Sequence, residues 1–194
     1  MADWSDNAAA RADRELCDRF DARDWAGVEA LAAPELVFDE RRRMVRNTCG
    51  REVWLEQFRV LFDVPKSRFT TFLRATRGDR LSLNLHCFEG EVAEGGGPLA
   101  MADYLVLHEV DGEGRIVAIV LFDLEDADAA YAELDARWTA GEALAHPLAS
   151  KWLADDSSTR RCRALLRSPS SKPPIRCAFR RTRQHGPTTA GTRP

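Results

Sequence analysis

The sequence predicts an α+β domain in which helices come first and a mostly antiparallel sheet follows. Two observations carry this. Up to Pro65 apolar residues recur every three to four positions, whereas from Arg68 the period falls to two over four consecutive segments. Those segments are joined by turn signals of hairpin length or a little longer: Gly78-Asp79, the loop Glu89–Pro98 with its Gly95-Gly96-Gly97, and Asp111-Gly112-Glu113-Gly114.

The first helix follows Ser5-Asp6-Asn7, any of which can cap it, and Ala12, Leu16 and Phe20 form its inward stripe. Asp24 caps a short helix carrying Trp25, Val28 and Leu31, closed by Pro34. A strand spans Glu35 to Glu40, and a basic irregular stretch, Arg41 to Arg46, comes next. Gly50 precedes a helix whose Val53, Trp54, Phe58, Leu61 and Phe62 share a face, and Pro65 stops it. Strands are expected over Arg68–Arg77, Arg80–Phe88, Met101–Val110 and Arg115–Asp123. A last helix, Asp126 to Ala140, stacks Ala130, Leu134 and Trp138 at intervals of four.

The 44% of apolar residues suffices for a sizeable core, and no apolar run nears the roughly 18 residues of a membrane span. The acidic start, Met-Ala-Asp-Trp-Ser-Asp-Asn, has no basic and apolar leader pattern, so a cytoplasmic protein is expected. Cys17, Cys49, Cys87, Cys162 and Cys177 are odd in number and widely spaced, which fits free thiols better than a disulfide framework or a zinc site. His86 and Cys87 are neighbours on one strand and so point to opposite faces rather than forming a dyad. No metal-ligand motif, phosphate loop or Ser-His-Asp order is present, and neither a metal nor a cofactor is expected.

The net charge of −3 conceals a division. Residues 1–156 carry 18 basic against all 31 acidic side chains, a balance of −13, while residues 157–194 carry 10 basic side chains and no acid. The organisation expected is an N-terminal extension (1–7), one domain (8–140), a linker or the start of a further helix (141–156), and a basic disordered tail (157–194). That tail holds one of the chain's sixteen aromatics, Phe179, too little apolar surface to offset the entropy of ordering. Three origins fit it: a polyanion-binding arm, a solvated linker, or out-of-frame translation of GC-rich DNA. The 25 Arg against 3 Lys and the abrupt change after Trp152-Leu153-Ala154-Asp155 favour the last. Without aromatic interleaving or a recognisable module, nucleic acid is not an expected partner.

Three stretches, in order, resemble the nuclear transport factor 2-like (SnoaL-like) superfamily. Arg23-Asp24-Trp25-Ala26-Gly27-Val28-Glu29-Ala30-Leu31 with Pro34-Glu35-Leu36-Val37-Phe38-Asp39 resembles its opening short helix and acid-ended first strand. Gly50-Arg51-Glu52-Val53-Trp54-Leu55-Glu56-Gln57-Phe58 is similar to its Gly-led helix entry. Asp111-Gly112-Glu113-Gly114-Arg115-Ile116-Val117, running to Phe122-Asp123, resembles its last hairpin. The resemblance covers about residues 8–140 and implies a curved sheet wrapped around helices as an open-mouthed cone. The family holds acid-base enzymes, among them steroid isomerases and polyketide cyclases, beside non-catalytic binding domains, so fold alone does not decide activity. Against the steroid isomerases, Asp39 falls at the general-base position. Their two oxyanion donors fall at Leu16 and Val106, neither of which donates a hydrogen bond.

The same matching turns Ser82, Asn84, His86, Ala102, Tyr104, Val106, His108, Ile119, Leu121 and Asp123 inward, with His108 at the surface or rim. Asp39, His86 and Tyr104 are then the candidate catalytic groups. Trp54, Phe58, Ser82, Asn84, Val106, Ile119 and Asp123 are candidate ligand contacts. Each has a structural alternative: Asp39 paired with Arg41 to Arg43, His86 satisfied by Tyr104 or Asn84, Trp54 and Phe58 as core, Asp123 as a helix cap. The opposite face carries Leu81, Leu83 and Leu85 beside Ile116, Ala118, Val120 and Phe122, enough apolar surface to imply a homodimer packed through it. Two functions follow: a binding domain for a small apolar molecule without chemistry of its own, or an acid-base enzyme acting on a polycyclic or terpenoid substrate.

Overall fold

The computed structural model describes residues 7–91, 98–100 and 103–142 of the 194, residues 98–100 by backbone alone. The anticipated 157–194 tail, the 141–156 linker beyond Glu142, and Ala102 lie outside the described residues.

Helices α1 (Ala8–Asp21) and α2 (Trp25–Leu31) lead into strands β1 (Ala32–Glu40) and β2 (Asn47–Gly50), then helix α3 (Arg51–Phe62). Strands β3 (Arg68–Arg77), β4 (Leu81–Glu91), β5 (Pro98–Ala100), β6 (Tyr104–Val110) and β7 (Ile116–Asp123) follow, and then helix α4 (Ala127–Ala140). The strands form one sheet in the order β2-β1-β7-β6-β4-β3, with β5 also on β4. Among the described strands only β1 and β7 pair in parallel, which completes the α+β architecture expected.

Asn7 proves to be the cap of α1: its side-chain oxygen accepts from Ala10 N at 2.8 Å while its amide donates to the Leu81 carbonyl at 2.8 Å. One residue thereby caps the helix and fixes it to the sheet. Asp24 caps α2, as the sequence indicated. Strand β1 starts three residues earlier than expected and contains Pro34. Its register against β7 slips between Ala32 and Val37, and there a residue without an N–H costs no ladder bond. Helix α3 is rotated from its expected face: Trp54, Leu55 and Phe62 are buried, Phe58 and Leu61 are partly covered, and Val53 is 45% exposed.

The sheet separates two apolar layers. On its concave side α1, α2 and α3 enclose Leu16, Phe20, Phe69, Phe88, Val106 and Ile119. On the convex side Leu81, Leu83, Leu85, Leu105, Leu107, Val120 and Phe122 pack under Ala130 and Leu134 of α4. A bulge opposite Glu109 and Val110 moves Ile116 from this second set to the concave core. The apolar face that motivates a homodimer is therefore covered by the chain's own last helix. Ion pairs fasten that helix: Arg41 bridges Asp39 (2.7 Å) and Glu133 (3.0 Å), and Arg137 bridges Glu133 and Glu109 (both 2.8 Å). No described helix is long and apolar enough to cross a membrane.

Candidate functional site

Helical periodicity places Asp13 three, four and seven residues before Leu16, Cys17 and Phe20, on the one face of α1 that is buried. This acid on an apolar stripe is 1% exposed and meets the concave face of the sheet. Thr71 on β3 and His86 on β4 are cross-strand partners and address its two oxygens. Thr71 Oγ1 donates to Oδ2 at 2.6 Å, and His86 Nε2 lies 2.7 Å from Oδ1. His108 on β6 brings Nδ1 to 3.1 Å from the same Oδ1, but off the hydrogen-bonding direction, so this buried nitrogen has no hydrogen bond. Burial pushes the Asp13 carboxyl up; the charge and hydrogen bond of His86 and the close approach of His108 outweigh that and hold it well below the usual carboxylate range. When the ring is neutral, an ionised Asp13 fixes His86 as the Nε2–H tautomer, an assignment made from the bonding pattern, and leaves Nδ1 with its lone pair.

Beside this cluster lies a cavity of about 230 Å³, lined in part by His86, His108, Tyr104 and Cys17. One wall is flat: Trp54 stacks on Phe58 (5.0 Å, 17°) and Phe58 on Phe69 (5.7 Å, 12°). Val106, Ile119 and Leu121 form the floor from the sheet. Burial raises the Tyr104 hydroxyl above its ordinary value, so it stays a donor. The Arg42 guanidinium covers the Tyr104 ring at 4.6 Å and is clamped to Glu40, Nε to Oε1 at 2.8 Å and Nη2 to Oε2 at 2.7 Å. Its own hydrogen bond to Glu40 raises its affinity for the proton despite partial burial. This pair puts a neutralised polar patch in the cavity wall. The Cys17 thiol is pushed up by burial first and by Asp13 next, and stays protonated.

The structure brings together His86, Tyr104, Trp54, Phe58, Val106 and Ile119 around this cavity. It places four other anticipated residues elsewhere. Asp39 alternates with Leu36, Phe38 and Glu40, so Glu40 faces the cavity while Asp39 turns to Arg41 and a shallow polar cleft with Thr48. Ser82 and Asn84 are buried and bonded to each other at 3.0 Å, away from the cavity. Asp123 accepts from the Arg43 backbone N–H at 3.0 Å. His108, expected at the rim, is 1% exposed. Asp13, Cys17, Glu40, Arg42 and Gln57 were not anticipated. For Asp13 the signal was present, an acid in phase with Leu16 and Phe20.

No protein-family model matches the chain, and no curated protein matches it in sequence. Solved structures do match it in three dimensions. Rv0760c from Mycobacterium tuberculosis, solved in complex with estradiol-17β-hemisuccinate, superposes with a TM-score of 0.53 at 16% identity, over 62% of this chain and 97% of that one. A computationally designed 17-OHP binder gives 0.53 at 16% identity, over 62% and 95%. A Δ5-3-ketosteroid isomerase from a Mycobacterium species gives 0.53 at 16%, over 63% and 97%. The chain has the nuclear transport factor 2-like, SnoaL-type fold.

Proposed function

We propose that the concave cavity binds a small, largely apolar molecule bearing one polar group, and that His86, oriented by Asp13, exchanges a proton with that molecule. The observation behind this is the 2.7 Å contact between His86 Nε2 and a buried Asp13 at the wall of an apolar cavity. A carboxylate that fixes one ring nitrogen leaves the other as a base of defined direction. Tyr104, whose ring centroid lies 5.7 Å from that of His86, supplies a hydroxyl donor within one small ligand's width. Together they suit proton removal beside a carbonyl or hydroxyl, the chemistry of isomerisation or dehydration. At about 230 Å³ the cavity falls just below the ~300 Å³ at which drug-sized sites begin, so the occupant is bicyclic in scale or enters by one end. The steroid-type ligands of the two binding neighbours, though bound by distant relatives in fold, guide the choice of probes.

The test uses 2-tetralone, a bicyclic ketone with exchangeable α-protons, in deuterated buffer with the full chain. The expected result is saturable binding and α-proton exchange accelerated at least tenfold, lost in His86→Gln. Binding without acceleration would leave a binding domain only, a second reading supported by Asp13 already engaging both its oxygens in bonds that tie α1 to β3 and β4. Absence of saturable binding by both 2-tetralone and estradiol would remove the proposal.

A further inference from the structure

Cys17 is one helical turn from Asp13 on the same face of α1 and takes no part in the proposed proton transfer. Yet a ligating oxygen of Asp13, the Cys17 sulfur and a His86 ring nitrogen all lie within 4.8 Å of one another, and all three side chains are buried. Next to them is His108 Nδ1, 3.1 Å from Asp13 Oδ1, buried and without a hydrogen bond. Buried polar nitrogens normally have hydrogen-bond partners, so one that lies against the Asp13 carboxylate without a hydrogen bond points to a further group in this cluster.

We infer that Asp13, Cys17 and His86 form a binding site for a divalent transition-metal ion, with His108, whose Nδ1 lies against the same Asp13 oxygen, as a further donor that moves in on loading. One carboxylate, one thiolate and imidazole nitrogen suit zinc among the common ions. Charge supports the assignment. Ionised Asp13 and a Cys17 thiolate cancel the charge of a divalent ion, so the loaded site adds no net charge to an apolar interior. Binding displaces the Cys17 proton to solvent, a cost that makes affinity rise with pH. Thr71, donating to Asp13 Oδ2 at 2.6 Å, stays in place to hold the carboxylate as an outer partner. Loading rearranges the donors: those of a tetrahedral ion sit about 3.3 Å apart, so the 2.7 Å contact of Asp13 and His86 opens by roughly half an ångström while the wider separations, within 4.8 Å, close.

The consequence for activity, though not the site itself, rests on the acid-base reading. An ion held by His86 Nε2 and the Asp13 carboxylate replaces the contact that makes His86 a directed base, so zinc and proton transfer exclude each other. The site then works as a metal-sensitive switch on the cavity.

The full chain, stripped with EDTA, is titrated at neutral pH with Co2+, which reports thiolate ligation by a sulfur-to-metal charge-transfer band and near-tetrahedral geometry by intense visible bands. One equivalent should generate both, Zn2+ should abolish both by displacement, and Zn2+ should raise the melting temperature by several degrees. In Cys17→Ala the charge-transfer band should vanish and the zinc-induced rise should shrink. Asp13→Asn should do the same, and Cys17→Ala, a small truncation, carries the test if Asp13→Asn fails to fold. No charge-transfer band in wild type, or an undiminished band in Cys17→Ala, overturns the site. Tetralone exchange without metal binding sinks this inference and leaves the proposed function. Metal binding without exchange does the reverse.

Discussion

Asp13 is where stability and function meet, and its replacement by asparagine is the most informative single perturbation. The exchange keeps volume and removes charge. In the native chain the carboxylate accepts from Thr71 at 2.6 Å and His86 at 2.7 Å and lies 3.1 Å from His108, all of it sealed from solvent. Asparagine must aim its NH2 at one of these groups, leaving a donor facing a donor or an imidazole without its counter-charge. Breaking a buried pair of this kind costs about 3 kcal/mol, the lower end of the range for such sites. For a folded region of this size that is a fall in melting temperature of about 10 °C. The pH dependence adds a second signature. The Asp13 carboxyl titrates below its unfolded value near 3.9, so the folded state binds fewer protons than the unfolded one below that value. The stabilisation is therefore fully present above about pH 5 and is lost as pH falls through the acid range. Urea denaturation of both proteins from acid to neutral pH measures each effect. Wild type should gain stability more steeply than Asp13→Asn as pH rises from the acid end. Equal stabilities and parallel pH profiles would refute the assignment of Asp13 as a buried, ionised hub.

Asp39→Asn should change stability by less than about 1 kcal/mol, since its pair with Arg41 is partly exposed, and should leave tetralone exchange and the His86 ring resonances unchanged. Leu83→Arg should unfold the chain by several kcal/mol independently of protein concentration, because Leu83 is buried under α4; a concentration-dependent loss seen by sedimentation would instead place it between two copies. Thr71→Val, removing a donor to the Asp13 carboxylate, should lower the turnover of tetralone exchange several-fold and leave its half-saturating concentration unchanged. An equal loss in both would mean that Thr71 shapes the cavity rather than the base.

Much of the architecture was legible because local chemistry and tertiary structure agree. The Asp24 cap, the period-two runs of β3, β4, β6 and β7, and the glycine-bearing turns all have short-range causes. The failures lie where the deciding partner is distant. Phe38 and Val37 are both apolar, so the pattern of β1 alone does not settle whether Asp39 or Glu40 faces the cavity; pairing with β2 and β7 settles it. The convex sheet face looked unpartnered because α4 shows only a weak stripe, Ala130 and Leu134 with Trp138 half-buried, yet that stripe seals it. His86 was legible through the family resemblance, which turns its strand face inward. Its partner lies on α1, seventy-three residues earlier, where Asp13 sits in phase with Leu16 and Phe20, and no local pattern links the two.

The central claim is that a ligand in the concave cavity meets His86 at the nitrogen Asp13 leaves unbound. The direct test is long-range proton–nitrogen NMR of the histidine rings in metal-free full chain, with and without saturating 2-naphthol. In the free protein, at a pH where the ring is neutral, His86 should show a protonated Nε2 and an unprotonated Nδ1. On saturation the Nδ1 signal should shift as it accepts from the naphthol hydroxyl, while Nε2 stays with Asp13. A neutral His86 protonated at Nδ1, or naphthol binding that leaves His86 and His108 unperturbed, would contradict it.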